Sequence, residues 1–545
     1  MAHDNALPKS RCLGRQWRLL GARLLAATIV LLAPMPNSPD TALAADRPER
    51  PGRPSVLIIM CDQLSARVLG CYGGVVPTPH IDRLAREGVR FDGAVCTTPF
   101  CSPSRASIIT GMYPHAHGIV CNVNRRDYPA IRSPTTEEGI KGSDATTESL
   151  LHAAGYATHH YGKWHLLDED LPYYTDMYGE HREYAREMES VFQAMRQRDR
   201  QSWMDWYGWA LPTTQSPAFR QAVEQLGTRW AKQGHAEFVV KMGRLALPLP
   251  QQFDVRVADK TVERINSTRT GSFMITCSFN APHDPNVVSA PYYEMFEPTS
   301  IKLPDNHGVL EKRFDSEWSR RIVADLGEPG LREFLRIYYA TVKLVDDQVG
   351  RILAALEASG RLDDTVIVFT ADHGDMVGGH GMVWKSTSAF YDEIVCVPLL
   401  LRYPRLFKPQ VSTLAVDLTD LMPTLLEIVG QPVPSHAQGQ SLVPYLTGKS
   451  SPATARTYCF CERVAVNAEH TRKLKPGSRG AFMVRGQGWK YCCYPDGDEY
   501  LYHLTDDPGE TRNLAGDAGY QSRKREMMDA LRAWLRRTRW QGREP

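Results

Sequence analysis

Four strand-like segments of this sequence each run into side chains that bind cations or move protons. Residues 55–60, 273–279 and 365–370 are continuous apolar runs, typical of strands buried on both faces of a parallel sheet, and residues 156–161 form a fourth segment. The side chains that follow them are Asp62, Gln63, Lys163, His165, His283, Asp372 and His373. Ligands of open α/β sheets bind beyond the carboxyl ends of the strands, so we expect these side chains to share one crevice.

The first candidate site is a cation site formed by Asp62, Gln63, Asp372 and His373. Two carboxylates and an amide oxygen are hard ligands that suit Ca²⁺ or Mg²⁺. An imidazole is less usual for calcium and leaves Mn²⁺ or Zn²⁺ open. The alternative for each pair of residues is a structural one, because an Asp after a strand is commonly a turn or capping residue.

The second candidate is Cys101, in the segment Cys101-Ser-Pro-Ser-Arg105. Pro103 suits the first turn of a helix, because its missing N–H costs nothing there. Residues 104–110 contain no helix breaker, and Gly111 suits a C-cap. The sequence therefore predicts position 101 at or just before a helix N-terminus, where free N–H groups and the helix dipole favour an anion. The alternative is a buried or disulfide-bonded cysteine before an ordinary helix.

These segments resemble, in order, the motifs of the formylglycine-dependent (type I) sulfatases. Residues 101–105 resemble the C-x-P-x-R signature of that family, and further similarity extends from about residue 54 to about residue 515. The other similar segments are 78–85, 110–115, 162–165, 281–283, 371–375, 379–385, 489–491 and 500–514. The resemblance implies the α/β fold of the alkaline phosphatase superfamily, with a large, mostly parallel sheet between helices.

The resemblance also implies a chemistry for position 101. In the family, a maturation enzyme oxidises this cysteine to Cα-formylglycine (3-oxoalanine), and the hydrated aldehyde attacks the sulfur of a sulfate ester. The implied substrate is a sulfated small molecule or glycan. The implied cofactor is one divalent cation, Ca²⁺ in first place with Mg²⁺ or Mn²⁺ also possible, bound by Asp62, Gln63, Asp372, His373 and the modified Cys101.

By the same resemblance, the remaining polar residues take roles in catalysis. Lys163 and Lys385 would bind sulfate oxygens and stabilise charge in the transition state. Arg105 would hold the hydrated aldehyde through its planar set of donors, unless it is a surface arginine of the helix. His165 is the expected base beside position 101, and His283 the expected acid on the leaving oxygen, because histidine titrates near working pH.

Two positions depart from the commonest sulfatase pattern. Gln63 stands where many sulfatases have a second acid, and His373 stands where Asn is common. Both variants resemble a branch that includes choline-sulfatase-like and phosphonate-monoester-hydrolase-like members. We therefore keep open a phosphodiesterase or phosphonate monoester hydrolase on the same scaffold. A sulfoglycan-binding protein with a dead site is disfavoured, because every expected catalytic position holds a competent residue.

The composition and the N-terminal segment restrict the partners and the location. The chain has 545 residues, enough for a large core, and a formal net charge of +2, which gives no reason to expect nucleic-acid binding. Residues 1–45 combine arginines, an apolar run too short to span a bilayer and a small-residue cleavage site. We predict a signal peptide, followed by a linker at 46–53, and an exported protein, periplasmic or secreted, with no membrane span in the mature chain. An uncleaved membrane anchor is the alternative.

The pattern along the chain predicts two parts. Strand and helix patterns alternate over residues 54–434, which predicts an α/β catalytic domain. Residues 167–250 interrupt it with an aromatic- and charge-rich insertion, interpreted as mostly helical and as either a wall of the cleft or a packing surface. Short strands and a helix at about 520–537 predict a smaller α+β subdomain over 435–545. Ten cysteines besides Cys12 and Cys101 could form disulfides, but the sequence does not define a pairing.

Overall fold

A computed structural model describes most of the chain beyond residue 51. The described residues are 52–123, 138–167, 171–179, 183–198, 247–314, 318–386, 389–464 and 477–545, with short strands at 203–204, 210–211, 213–214 and 242–245. The predicted signal peptide, nearly all of the predicted linker and most of the aromatic insertion lie outside them. Within them, no helix is both long and apolar enough to cross a membrane.

The strands form a large sheet and smaller ones. In chain order they are β1 (Ser55–Asp62), β2 (Val89–Phe91), β3 (Ala157–Gly162), β4 (Asp176–Tyr178), β5 (Trp203–Met204), β6 (Ala210–Leu211), β7 (Thr213–Thr214), β8 (Met242–Leu245), β9 (Phe273–Pro282), β10 (Asn286–Ser289), β11 (Thr365–Ala371), β12 (Leu399–Arg402), β13 (Gln410–Ser412), β14 (Cys459–Val464), β15 (Gly480–Gly486), β16 (Trp489–Cys493) and β17 (Glu499–His503). The large sheet has the order β13-β2-β12-β11-β1-β9-β3-β4. Its central strands β11, β1, β9 and β3 are parallel, so their carboxyl ends lie at one edge.

The four central strands are those that the sequence predicts, each with slightly different bounds. Every residue of β1 and of β11 is buried, which explains why both strands read as continuous apolar runs. Strand β1 continues past the predicted end at residue 60 and includes Asp62, whose side chain is also fully buried. A carboxylate buried this deeply must be paired, and its partners are described with the site.

Helices pack on the strands, and one of them begins at position 101. They are Pro79–Glu87, Cys101–Thr110, Pro114–His117, Thr147–Ala153, Ala185–Arg198, Phe253–Ser267, Trp318–Ala358, Asp392–Val395, Leu421–Ile428, Val443–Leu446 and Gln521–Arg537. The helix Trp318–Ala358 is interrupted at Gly327, whose φ of 67° is not helical. The helix Phe253–Ser267 packs between it and β9.

The C-terminal part is a second sheet with a terminal helix. Strands β14, β15, β16 and β17 form an antiparallel sheet in sequence order, and the helix Gln521–Arg537 packs on it. This arrangement confirms the predicted α+β subdomain. Trp534 lies in its core, stacked on Phe460 with ring centroids 4.7 Å apart. A buried pair joins it to the catalytic domain, since His115 Nδ1 lies 2.6 Å from Glu462 Oε2.

The structure bears on two points about side chains that the sequence leaves open. Tyr173 and Tyr178 of the insertion are 4% and 6% exposed and belong to the main core, so they pack and do not offer rings to a ligand. Tyr174 stacks edge-on against Trp164, with centroids 5.7 Å apart. The eleven cysteines of the described residues are all free, and the pairs at 459/461 and 492/493 are buried thiols of the C-terminal sheet.

Candidate active site

The ends of the central strands bring the predicted site residues together. Ligand atoms of Asp62, Cys101, Asp372 and His373 all lie within 4.8 Å of one another, and all four residues are buried. Asp62 ends β1, and Asp372 and His373 follow β11, the strand paired with β1. Lys163 follows β3 and His283 follows β9, at the same edge of the sheet. The side chains that follow the central strands therefore meet at one edge of the sheet, as predicted.

Cys101 is the first residue of its helix, as the sequence predicts. Gly111 ends the helix with a left-handed φ of 66°. The Cys101 sulfur lies 3.2 Å from His373 Nε2, 3.3 Å from Lys385 Nζ and 3.6 Å from Asp62 Oδ1. Burial disfavours the thiolate, but Lys385, Lys163 and His373 outweigh burial and hold the pKa of Cys101 well below its usual value.

Arg105 makes contacts that differ from the expected ones. Its Nε donates to Asp372 Oδ2 at 2.8 Å, and its NH2 group donates to Asp62 Oδ2 at 3.3 Å. The NH1 group donates to the carbonyl of Lys163 at 2.7 Å and to Ser278 Oγ at 2.8 Å. We expected Arg105 to hold position 101, but its described hydrogen bonds fix the two carboxylates and the end of β3. Its side chain is 2% exposed, which excludes a surface arginine.

The carboxylates of Asp62 and Asp372 share one buried site, and their pKa values are shifted in opposite directions. Burial and the Cys101 thiolate oppose ionisation of Asp62, but Lys163, His283 and Arg105 hold its pKa far below the usual range. Burial and the negative charge of Asp62 raise the pKa of Asp372, although Arg105 partly offsets them. Close carboxylates titrate one after the other in this way, and a bound cation would allow both to ionise.

His373 and Gln63 point ligand atoms at this cluster. His373 Nδ1 lies 2.8 Å from the carbonyl of Gly374 and must donate to it, so Nε2 is the ring nitrogen that faces Asp62 and position 101. Burial opposes the charged ring, but Asp372 and Cys101 raise the pKa of His373 to about 9, so Nε2 must release its proton to bind a cation. Gln63 Oε1 lies 3.2 Å from Lys385 Nζ, which also contacts Cys101. Carboxylate and imidazole atoms lie within 4.8 Å of one another, and the Gln63 amide oxygen shares Lys385 with Cys101, so these residues fit a divalent cation.

Two lysines give the site its positive charge. Lys163 is 3% exposed and pairs with Asp62, and Lys385 Nζ contacts both Cys101 and His283 Nε2, the latter at 2.8 Å. Burial opposes their charged forms, but the negative charges of Asp62 and Cys101 raise both lysine pKa values. Both lysines are therefore ammonium ions at neutral pH.

The two histidines next to position 101 are held differently. Burial lowers the pKa of His165 to about 4, so its ring is neutral at working pH. His283 Nδ1 lies 2.6 Å from the carbonyl of Asp284 and 3.2 Å from its carboxylate. Because both are acceptors, Nδ1 carries the proton, and Nε2 accepts from Lys385.

Sequence reasoning misses several residues that orient the site. Asp375 Oδ2 accepts from Gln63 Nε2 at 2.7 Å, and Tyr338 OH donates to the Gln63 carbonyl at 2.7 Å. Ser278, within β9, joins Arg105 to the Lys163 carbonyl. Asp375 lies in the segment 371–375, which resembles a sulfatase motif, so the sequence indicates a role for it. Tyr338 and Ser278 lie in apolar segments, where the sequence indicates no such role.

Comparison with known proteins places this geometry in a family. The sequence profile described as Sulfatase matches residues 54–431, which is more than half of the 545-residue chain. The chain belongs to the sulfatase family. A second profile, "N-sulphoglucosamine sulphohydrolase, C-terminal", matches residues 378–537 of the sulfatase. The resemblance to the type I sulfatases of the alkaline phosphatase superfamily is confirmed, and the protein is an enzyme that hydrolyses sulfate esters.

The sulfatase is also similar to individual proteins. It is 28% identical to an N-acetylglucosamine-6-O-sulfatase of Bacteroides thetaiotaomicron, over 92% of this chain and 89% of that protein. It is 28% identical to a Delta 4,5-hexuronate-2-O-sulfatase of the same organism, over 86% of each chain. Its fold is shared with a phosphonate monoester hydrolase from Silicibacter pomeroyi, with a TM-score of 0.68 and 22% identity over 89% of this chain and 96% of that one.

Proposed function

We propose that this sulfatase removes sulfate from a sulfated carbohydrate, with a formylglycine residue at position 101 and one divalent cation, Ca²⁺ in first place. The observation that carries the proposal is the Cys101 sulfur, which lies at a helix N-terminus 3.2 Å from His373 Nε2 and 3.3 Å from Lys385 Nζ. In the mature residue, hydrate oxygens would stand where this sulfur stands. A bound cation would supply Lewis-acid stabilisation of a sulfate oxygen.

The cation would be held by Asp62, Gln63, Asp372 and His373 together with position 101. Arg105 bonds to both carboxylates, and we assign it the role of fixing these ligands. This role replaces the one implied by the resemblance, and it explains why a guanidinium and not an ammonium stands there. A planar fork of donors can span two carboxylates and a carbonyl at once.

Lys163, Lys385 and the two histidines would bind the ester and move protons. The lysines are buried ammonium ions that can bind sulfate oxygens and stabilise charge in the transition state. His165 is neutral and can accept a proton from position 101. His283 Nε2 accepts from Lys385 Nζ at 2.8 Å, so a proton taken from Lys385 can pass through His283 Nε2 to the leaving alcohol oxygen. The net reaction is ester plus water to alcohol plus sulfate.

The substrate class rests on the relatives. Both relatives are named for sulfated sugars, one for N-acetylglucosamine 6-O-sulfate groups and one for hexuronate 2-O-sulfate groups. Their similarity extends over most of each chain. The sulphohydrolase profile separately matches residues 378–537 of this chain. We therefore assign a sulfated saccharide as the substrate.

Mass spectrometry of the peptide that contains position 101 tests the nucleophile. Protein from a host with a formylglycine-generating enzyme should carry formylglycine, and Cys101→Ala should abolish turnover of a sulfated sugar while the protein stays folded. Cys101→Ser is the matched control, because it keeps the size and polarity of the side chain and yet lacks the thiol that is oxidised. An active protein with only unmodified cysteine would contradict the mechanism.

A phosphodiester or phosphonate monoester is the second candidate substrate. Gln63 and His373 favour it, and so does the shared fold with a phosphonate monoester hydrolase. Turnover of 4-nitrophenyl sulfate, of a 4-nitrophenyl phosphodiester and of a phenylphosphonate at equal concentration separates the two. A large preference for either phosphorus ester would replace the sulfate assignment.

We further propose that the protein is exported, because residues 1–45 combine arginines with a short apolar run. Fractionation of the source cells should find it in the periplasm or the medium, with its N-terminus near residue 46. Full-length protein in the cytoplasm would contradict this location.

A further inference from the structure

Gln63 is held by four hydrogen bonds in an unusual conformation. It is fully buried and has a left-handed φ of 64°. Its N–H donates to Asp372 Oδ1 at 3.1 Å, and its carbonyl accepts from Tyr338 OH at 2.7 Å. Its Nε2 donates to Asp375 Oδ2 at 2.7 Å, and its Oε1 accepts from Lys385 Nζ at 3.2 Å. A non-glycine residue in this region persists only where its surroundings hold it, often at a functional site.

Asp375 decides which end of the Gln63 amide faces the cation ligands. An ionised carboxylate only accepts hydrogen bonds, so it selects the NH₂ end of the amide. The amide oxygen must then point the opposite way, toward Lys385 and position 101. Asp375 is itself fixed, because its other oxygen accepts from Val377 N at 2.8 Å and its side chain is fully buried.

We propose that Asp375 is a positioning residue of the cation site: it orients the Gln63 oxygen as a ligand and requires an uncharged side chain at position 63. The inference rests on the cation of the proposed function. An acid at position 63 would meet the Asp375 carboxylate across the present 2.7 Å contact, and two carboxylates at that distance repel each other. Asp375, 312 positions later in the chain, thus explains why position 63 holds a neutral glutamine and not a second acid.

Isosteric substitutions at the two positions separate orientation from simple loss of a contact. In Asp375→Asn the new oxygen can still accept from Val377 N, which turns the new NH₂ group toward Gln63. The Gln63 amide must then flip and present its NH₂ group to Lys385 and the cation. Gln63→Glu places two carboxylates together. The double variant Gln63→Glu/Asp375→Asn restores the hydrogen bond with donor and acceptor exchanged, and it leaves the charge of the pair unchanged.

The main measurement is the affinity of each protein for its cation. Elemental analysis identifies the divalent cation in the native protein, and the metal-stripped proteins are then titrated with that cation in a calorimeter. Asp375→Asn should bind it about 10- to 100-fold more weakly, the usual effect of losing an outer partner of a metal ligand. The double variant should return to within about threefold of the native affinity. Without cation at pH 8, Gln63→Glu should melt well below the native protein, and the double variant should recover most of that loss.

Asp417→Asn is the matched control, since Asp417 is also fully buried but bonds to Tyr113 and lies beside Arg456. It should lower the melting temperature and leave cation affinity unchanged. Native affinity in Asp375→Asn, or a double variant that binds no better than Asp375→Asn, would overturn the inference. A native protein that binds no divalent cation would overturn both the inference and the cation of the proposed function. Cation binding without sulfatase turnover would overturn only that function.

Discussion

Replacing Glu148 by Gln should change the pH dependence of stability. Glu148 is 1% exposed, and neither of its carboxyl oxygens has a hydrogen-bond partner within the described part of the chain. Burial raises its pKa from 4.5 to about 7, and the nearby hydroxyls of Thr146 and Thr276 offset this only in part. Folding therefore places a carboxyl group where its charged form is disfavoured.

The sign and size follow from the difference between the folded and unfolded states. The folded pKa lies above the unfolded one, so the contribution of Glu148 to stability is fully present below pH 4.5 and is lost as the pH rises through about 7. At about 1.4 kcal/mol per pH unit, the loss reaches about 3 kcal/mol at pH 8 and is about 1 kcal/mol at pH 5. A glutamine at this position is neutral throughout and avoids the loss.

Urea unfolding of the native protein and of Glu148→Gln at pH 5 and pH 8, followed by tryptophan fluorescence, measures the effect. The free energy of unfolding of the variant relative to native should rise by about 2 kcal/mol from pH 5 to pH 8. Glu263→Gln, on a side chain 70% exposed, is the control and should show little change. An identical difference between Glu148→Gln and native at both pH values would refute the raised pKa.

Three further outcomes are expected. His283→Gln should lower kcat/KM on a sulfated sugar by about 10²- to 10⁴-fold, and much less on 4-nitrophenyl sulfate, because the leaving group of that ester needs no proton. Equal losses on both substrates would argue against proton transfer by His283. His115→Gln should destabilise the protein by about 3 kcal/mol with KM unchanged, because it breaks the buried pair with Glu462. Burial lowers the pKa of His115, but Glu462 outweighs burial and raises it, so the loss of stability should be largest below pH 6.5 and should shrink as the pH rises through the folded pKa. A chelator such as EDTA should lower both the melting temperature and kcat, and unchanged values after verified metal removal would exclude a functional cation.

The part of the fold that the sequence predicts is the part encoded by local pattern. The strand at 365–371 is buried along its whole length and is flanked by turn-forming residues, so its position and its polar end can both be read from the sequence. The helix that begins at Cys101 is defined by Pro103 and Gly111 within eleven residues. Parallel strands then force their polar ends to one edge, which is why the crevice could be predicted before any distance was known.

What could not be predicted depends on long-range contacts. Nothing around Arg105 in the sequence shows that its guanidinium bonds to Asp372, 267 positions away, rather than to its neighbour at 101. The sequence leaves open whether the aromatic residues of the insertion line the cleft or form a packing surface, and in the structure Tyr173 and Tyr178 pack into the core. Composition indicates that aromatic residues are present, whereas burial is decided by which other elements fold over them.

The charges around position 101 would suit an anionic ester once this residue is converted to formylglycine, as proposed. In the structure Cys101 faces Lys163 and Lys385, and these two ammonium groups, together with His373, lower the pKa of its thiol. Conversion to formylglycine, as proposed, would replace the thiolate by a neutral hydrate, and the two lysines would lose one negative charge, although Lys163 would keep its pair with Asp62. A sulfate ester carries one negative charge on oxygens that can reach both lysines, so the substrate restores the balance that the modification removes. Oxidation of the cysteine would then create a nucleophile and also prepare the site electrostatically for its substrate.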